Sequence, residues 1–243
     1  TYKYHLAEFG FSDVWYKNLR FGLGLRFEYY KYKDFLFKKP ELTGLDVESE
    51  HFLSYFAQVY YSTFDKGYFP SKGTEFKAAY SLYTDNMAQY NDHAPFSALS
   101  GSWASVVPVT RRFSIIPSIY GRVLIGKDIA YPLQNAIGGE VYGLYIPQQL
   151  PFAGVTNMEL MDNSIMIASV KLRQRMGSIH YLTLTGNYGL TDSHFFEILK
   201  GKQLFGISAG YGMDSMFGPL EITFGYSNQT DKGSCYVNLG YYF

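Results

Sequence analysis

The sequence predicts an all-β chain: a transmembrane, antiparallel, up-and-down β-barrel. Three observations predict it. Apolar and polar residues alternate with period two in almost every segment, which is the signature of strands with one oily and one wet face. Aromatic residues make up 19% of the chain and charged residues only 17%, below the roughly 25% of average soluble domains. No run approaches the roughly 18 apolar residues that a membrane helix needs, whereas barrel strands cross a bilayer while mean hydropathy stays near neutral, as it does here.

The alternation gives eleven strands, near 1–11, 20–37, 51–64, 74–84, 98–110, 113–125, 164–174, 179–190, 204–213, 219–228 and 233–243. In the second, Phe21, Leu23, Leu25, Phe27 and Tyr29 alternate with Gly22, Gly24, Arg26, Glu28 and Tyr30. In the fourth, Phe76, Ala78, Tyr80 and Leu82 oppose Glu75, Lys77, Ala79 and Ser81. Met166, Ala168, Val170 and Leu172 oppose Ser169, Lys171 and Arg173 in the seventh. Phe205, Ile207, Ala209 and Tyr211 then oppose Gly206, Ser208, Gly210 and Gly212, and the last two strands repeat the pattern. The apolar set is expected to face lipid and the other set the lumen.

The connections sort by length. Asp65 to Gly73, Arg111-Arg112, Met176 to Ser178 and Asp214 to Gly218 are short. Lys38 to Glu50, Asp85 to Ser97, Gly126 to Asn163 and Thr191 to Gln203 are long. Outer-membrane barrels place short turns on the periplasmic side and long loops outside, so the alternation orients the sheet. The final turn, Gln229 to Lys232, is short yet falls on the loop side.

Lys+Arg and Asp+Glu number 21 each, so no net field recruits nucleic acid or an anionic surface. The single cysteine, Cys235, forms no internal disulfide and has no neighbour at metal-ligand spacing. The chain starts at Thr1 already in strand-like alternation, and an odd strand count would leave an open edge in lipid. The expectation is one barrel domain over residues 1–243, N-terminally incomplete.

Three motifs carry a family resemblance. Asp65-Lys66-Gly67-Tyr68-Phe69-Pro70-Ser71-Lys72-Gly73 resembles the D-x-x-x-F-P-T-x-G periplasmic turn of the BamA/TamA surface-antigen superfamily, matched at Asp65, Phe69, Pro70 and Gly73. Pro70 fixes φ and Gly73 permits a left-handed exit. Gly138-Gly139-Glu140-Val141-Tyr142-Gly143-Leu144 is similar to the family's G-G-x-x-V-R-G-F loop, which folds into the lumen, with Tyr142 in place of the usual Arg. Five strands follow this loop, the number found there in the family's sixteen-stranded barrel. The chain ends on Gly240-Tyr241-Tyr242-Phe243, similar to the C-terminal signal of outer-membrane proteins, carried by Tyr241 and Phe243. The resemblance implies the later strands of a sixteen-stranded barrel with one long loop in its lumen.

Tyr145-Ile146-Pro147-Gln148-Gln149-Leu150-Pro151-Phe152-Ala153-Gly154 looks most like barrels fused behind patatin-like phospholipases of Gram-negative bacteria. That implies the outer membrane as location, with its lipids, an upstream lipase or periplasmic domain, and protein or lipid clients as partners. No cofactor is expected. An insertase or translocation barrel, a passive porin, and a soluble aromatic-rich β-sandwich or lectin-like barrel are the alternatives.

Gly206-Ile207-Ser208-Ala209-Gly210 matches G-x-S-x-G, but a nucleophile elbow needs a strand, a sharp turn and a helix. Here alternation continues and another strand follows, so Ser208 is expected to be a small lumen residue and no catalytic site is expected in this chain. His5, His51, His93, His180 and His194 show no zinc-ligand spacing, and no metal site is expected. Arg26, Glu28, Glu75, Lys77, Lys171, Arg173 and Glu221 are the charges expected in the lumen. Ser193 to Leu199 reads as a short amphipathic cap over the mouth.

Overall fold

The computed structural model describes residues 2–32, 49–86, 88–90, 92, 94–139 and 146–240. Eleven long strands form one sheet: β1 (Tyr2–Tyr16), β2 (Leu19–Tyr32), β3 (Glu50–Ser62), β4 (Gly73–Thr84), β5 (Phe96–Pro108), β6 (Phe113–Ile125), β10 (Ser164–Met176), β11 (His180–Asp192), β12 (Lys202–Ser215), β13 (Gly218–Ser227) and β14 (Thr230–Leu239). Every neighbouring pair is antiparallel and every strand pairs with the next in the order listed. β1 and β14 are the two edges of this sheet.

All eleven expected strands are present, with shifted ends. β1 runs on to Tyr16 because its ladder with β2 continues past polar Asp13, which pairs with Phe21, and absorbs a register shift between Val14 and Tyr16. β14 begins at Thr230, since Ser227 pairs with Thr230 across a two-residue turn. The expected end of the second strand, residues 33–37, and most of the loop after it lie outside the described residues.

Side chains alternate faces along each strand, so one set of positions is convex and the other concave. Leu23, Phe76, Ile207, Phe224 and Leu239 are on the convex face, Phe224 at 62% exposure and Leu239 at 71%. Glu28, Ser54, Ser169, Arg173, Thr183, Ser208, Glu221 and Thr223 are buried on the concave face. This is the inverse of a soluble sheet: the oily side is outside.

The concave face is not uniformly polar, however. Toward the loop end Tyr30, Phe52, Tyr83, Tyr90, Phe96 and Leu124 form an apolar cluster with Leu133, and Tyr83 stacks on Phe96 at 4.7 Å and 3°. Farther in, Ile165, Ile167 and Leu204 pack with Ile137, Phe152 and Val155. Both clusters owe their dryness to residues 126–163, the long connection between β6 and β10, which supplies Leu133, Ile137, Phe152 and Val155. Three short strands lie within it, β7 (Asn135–Ile137), β8 (Gln149–Leu150) and β9 (Leu160–Asp162), in the order β8-β7-β9. Segments of two or three residues are too short to show a period in sequence.

A lumen filled by a turn and a loop

The short turn between β3 and β4 folds inward. The Asp65 carboxylate accepts hydrogen bonds from the Ser71 amide (2.8 Å), the Ser71 hydroxyl and the Lys72 amide (3.3 Å), clipping the turn shut. Slight burial pushes the Asp65 carboxyl up, but these hydrogen bonds outweigh it and leave it below the ordinary carboxylate value. Gly73 leaves the turn at φ +110, as expected of a left-handed exit. Phe69 adopts φ +47, a costly conformation for a residue with a side chain, and is buried.

That conformation delivers the Phe69 ring across the lumen. It stacks on Tyr181 of β11 with centroids 4.4 Å apart and planes 9° apart. Arg173 of β10 donates to the Pro70 carbonyl, and its guanidinium lies 5.8 Å from the Tyr181 centroid. Lys66 approaches Asp214 of β12 at 4.0 Å. A turn from the β3–β4 hairpin is thereby bonded to β10, β11 and β12 on the opposite wall.

The loop between β6 and β10 fills the lumen from the other end. Its first part is fixed by Asn135, fully buried, whose amide donates to the carbonyls of Arg122 and Asn163 at 2.9 Å each. The Arg122 guanidinium donates to the Leu133 carbonyl (2.7 Å) and to Asn135 Oδ1 (2.8 Å). Its second part, from Gln148 to Val155, crosses the whole concave face. Gln148 donates to Tyr30 of β2 at 2.6 Å; Tyr120 of β6 donates to the Pro151 carbonyl at 2.7 Å and accepts from Asn187 of β11 at 3.0 Å. At the far side Thr230 and Tyr236 of β14 donate to the carbonyls of Gly154 and Val155, each at 3.0 Å. One segment so ties β2 to β14 and holds the sheet curled.

The inward face of β12 shows why both intrusions fit. It reads Gly206, Ser208, Gly210, Gly212, a trough of missing side chains. A Cβ on Gly206 would strike the Ala153 carbonyl, and one on Gly212 would lie 2.7 Å from Cε1 of Phe69. Gly154 completes the contact from the loop side: at φ +78, it presses on the backbone of Tyr226 and Gly225 of β13. The G-x-S-x-G sequence is part of this trough. Ser208 is buried, its strand continues to Ser215, and β13 follows rather than a helix.

Of the expected loop residues, Gly138 and Gly139 have positive φ (120 and 87) and lie buried in the lumen, while Val141, Tyr142, Gly143 and Leu144 lie outside the described residues. Tyr241 and Phe243 lie outside them too. The seven charges expected in the lumen all line its cavities. One, of about 710 Å³, is bounded by Arg26, Glu28, Lys77, Arg122 and Gln148. A second, of about 370 Å³, lies between Phe69 and Phe152 and is bounded by Glu75, Lys77, Lys171, Arg173 and Glu221. Glu28, 2% exposed, accepts from Tyr4 (3.0 Å) and Tyr30 (2.8 Å), so its carboxylate joins the β1–β2 edge to Gln148 of the loop.

The stretch expected to cap the mouth forms a single 3-10 segment, Phe195–Lys200, with Ile198 buried and Phe196 and Leu199 exposed. Beside it Asp192, His194 and Glu197 bring ligand-type atoms within 4.8 Å of one another, a grouping that histidine spacing did not signal. His194 and Glu197 are exposed, as such groups are at many loop ends without a metal.

An antiparallel sheet, open between β1 and β14, oily outside and filled inside by a turn and a long loop, forms part of an outer-membrane-type β-barrel. A family model described as the OMP85 superfamily matches residues 4–243, and the chain belongs to that superfamily. The fold is similar to the crystal structure of BamA from Haemophilus ducreyi lacking POTRA domains 1–3, with a TM-score of 0.67 at 11% identity. That match covers 97% of this chain and 55% of the BamA chain, so the chain spans about half of the structure it resembles. No curated protein matches it by sequence.

Proposed function

We propose that this chain is the outer-membrane anchor and translocation barrel of a patatin-like phospholipase, its strands being the later ones of a sixteen-stranded barrel. The observation that carries the reading is the seated segment from Gln148 to Val155. It contains Gln148 to Gly154, the greater part of the stretch similar to such barrels, and its hydrogen bonds reach from Tyr30 on β2 to Tyr236 on β14. A lumen crossed in this way suits an anchor or a gated passage better than a passive porin. The partners on this reading are outer-membrane lipids, a lipase domain upstream, and the lipid clients that domain would hydrolyse.

The test is made on the entire protein. A fluorophosphonate probe is expected to label a serine outside this chain, with phospholipid hydrolysis, and Ser208→Ala is expected to leave both unchanged. Absence of labelling and hydrolysis would reject the lipase parent; loss of labelling in Ser208→Ala would reject the anchor role.

A further inference from the structure

The connections β1–β2, β3–β4, β5–β6, β10–β11 and β12–β13 all lie at one end of the sheet. Backbone hydrogen bonds lace them into a rim: Ser62 to Asn18, Arg175 to Arg112, and Asp214 to Ile179. Two kinds of side chain predominate on this rim. Trp15 and Tyr16 (77% each), Val109 (55%), Met216 (88%) and Phe217 (78%) are large, apolar and exposed. Lys17, Lys72, Arg111, Arg112 and Arg175 are exposed between them, and among the described residues none has a carboxylate within 4.0 Å.

The chain as a whole has no net charge, so this excess is local. The rim also carries Asp13, Asp65 and Asp214, fewer than its cations, whereas at the opposite end Asp85, Asp92, Asp128, Glu159 and Glu197 are matched by exposed Lys3, Lys31, Lys127, Lys200 and Lys202. Oily side chains alternating with unpaired cations match a bilayer interface, where the rings enter the acyl boundary and the cations reach phosphate. The extent of the rim selects the partner. It runs from β1 to β13, across roughly 43 Å of sheet at about 4.8 Å between strands, wider than one compact domain covers yet met everywhere by a leaflet.

We infer that the turn-end rim is a collar for the headgroups of an anionic phospholipid leaflet. The inference rests on the membrane-spanning reading of the chain but not on the lipase parent. Each cation near an anionic surface contributes about fivefold in partitioning, so removing several produces a measurable loss.

The test follows insertion of the entire protein, diluted from urea, into phosphatidylcholine vesicles with and without phosphatidylglycerol. Phosphatidylglycerol is expected to speed insertion at least about tenfold. The variant K17Q/R111Q/R112Q/R175Q is expected to lose that advantage and to match the parent in phosphatidylcholine alone. Insertion of the parent at equal rates into both vesicles, or an advantage that survives in the variant, overturns the collar while leaving the membrane reading intact. Insertion into neither overturns both. Should the variant misfold, the salt dependence of the parent decides. At about 1 M salt, where the Debye length is near 3 Å, the advantage is expected to vanish, and its persistence refutes the inference.

Discussion

Replacing Gly212 by alanine tests whether the β3–β4 turn is a seated plug. In the native protein the new Cβ would stand 2.7 and 2.8 Å from Cε1 and Cζ of Phe69, well inside van der Waals contact. The ring cannot swing aside freely because it is stacked on Tyr181. Overpacking of this kind costs about 1–3 kcal/mol. Phe69→Ala alone removes a buried, stacked ring and is expected to cost about 3–4 kcal/mol. In that background the nearest neighbour of the alanine at position 212 is Tyr181 Cβ at 3.7 Å, an ordinary contact. Its smaller unfolded-state entropy then makes Gly212→Ala neutral or stabilising by about 0.5 kcal/mol. The assay is urea unfolding of the four proteins in detergent or vesicles, compared through midpoints at constant slope. A coupling of about 1–3 kcal/mol is expected, as for residues in direct contact. Equal cost of Gly212→Ala in both backgrounds would show that Phe69 does not occupy the β12 trough.

Three further outcomes test the seating of the lumen segments. Asn135→Ala removes three hydrogen bonds made by a fully buried side chain and is expected to cost about 2–3 kcal/mol, seen as faster tryptic cleavage at Lys127 while the strands stay intact. Gly154→Val, at φ +78 and against the Tyr226 backbone, is expected to cost at least about 2 kcal/mol and to weaken the loop's hold on β14, read by the same proteolysis. Because the folded Asp65 carboxyl lies below its ordinary value of 3.8, its clip stabilises fully above that value and loses its contribution as pH falls through the lower folded one. Asp65→Asn is expected to flatten that part of the stability profile; an unchanged acid limb would count against the clip.

The strands were legible because alternation is local: each residue in Phe21 to Tyr30 reports its own face. The same holds for the charges, and Arg26, Glu28, Arg173 and Glu221 lie on the concave side as their parity requires. The lumen filling was legible only in part. Gly73 announced a tight turn, but nothing near Phe69 in sequence indicates that its ring will stack on Tyr181, more than a hundred residues away. Inward aromatics such as Phe52, Tyr83 and Phe96 broke the expected polar lining, since they pack on Leu133 of a loop whose path no periodicity encodes. Asn135 carried no motif at all. Gly206 and Gly210 of β12 were visible as G-x-S-x-G and Gly212 follows them, yet the meaning of Gly206 and Gly212, room for Ala153 and Phe69, depends on what arrives from elsewhere in the chain.

The measurement closest to the central claim is a fluorophore scan along β12 in lipid. Cys235 is first replaced, and single cysteines from Leu204 to Met213 carry an environment-sensitive dye in vesicles with lipid-bound quenchers. Strict two-residue alternation is expected, with strong quenching at Phe205, Ile207, Ala209 and Tyr211 and weak quenching at Gly206, Ser208, Gly210 and Gly212. Quenching that is uniform along the strand, or strongest at the glycine and serine positions, would contradict an oily exterior around a filled lumen.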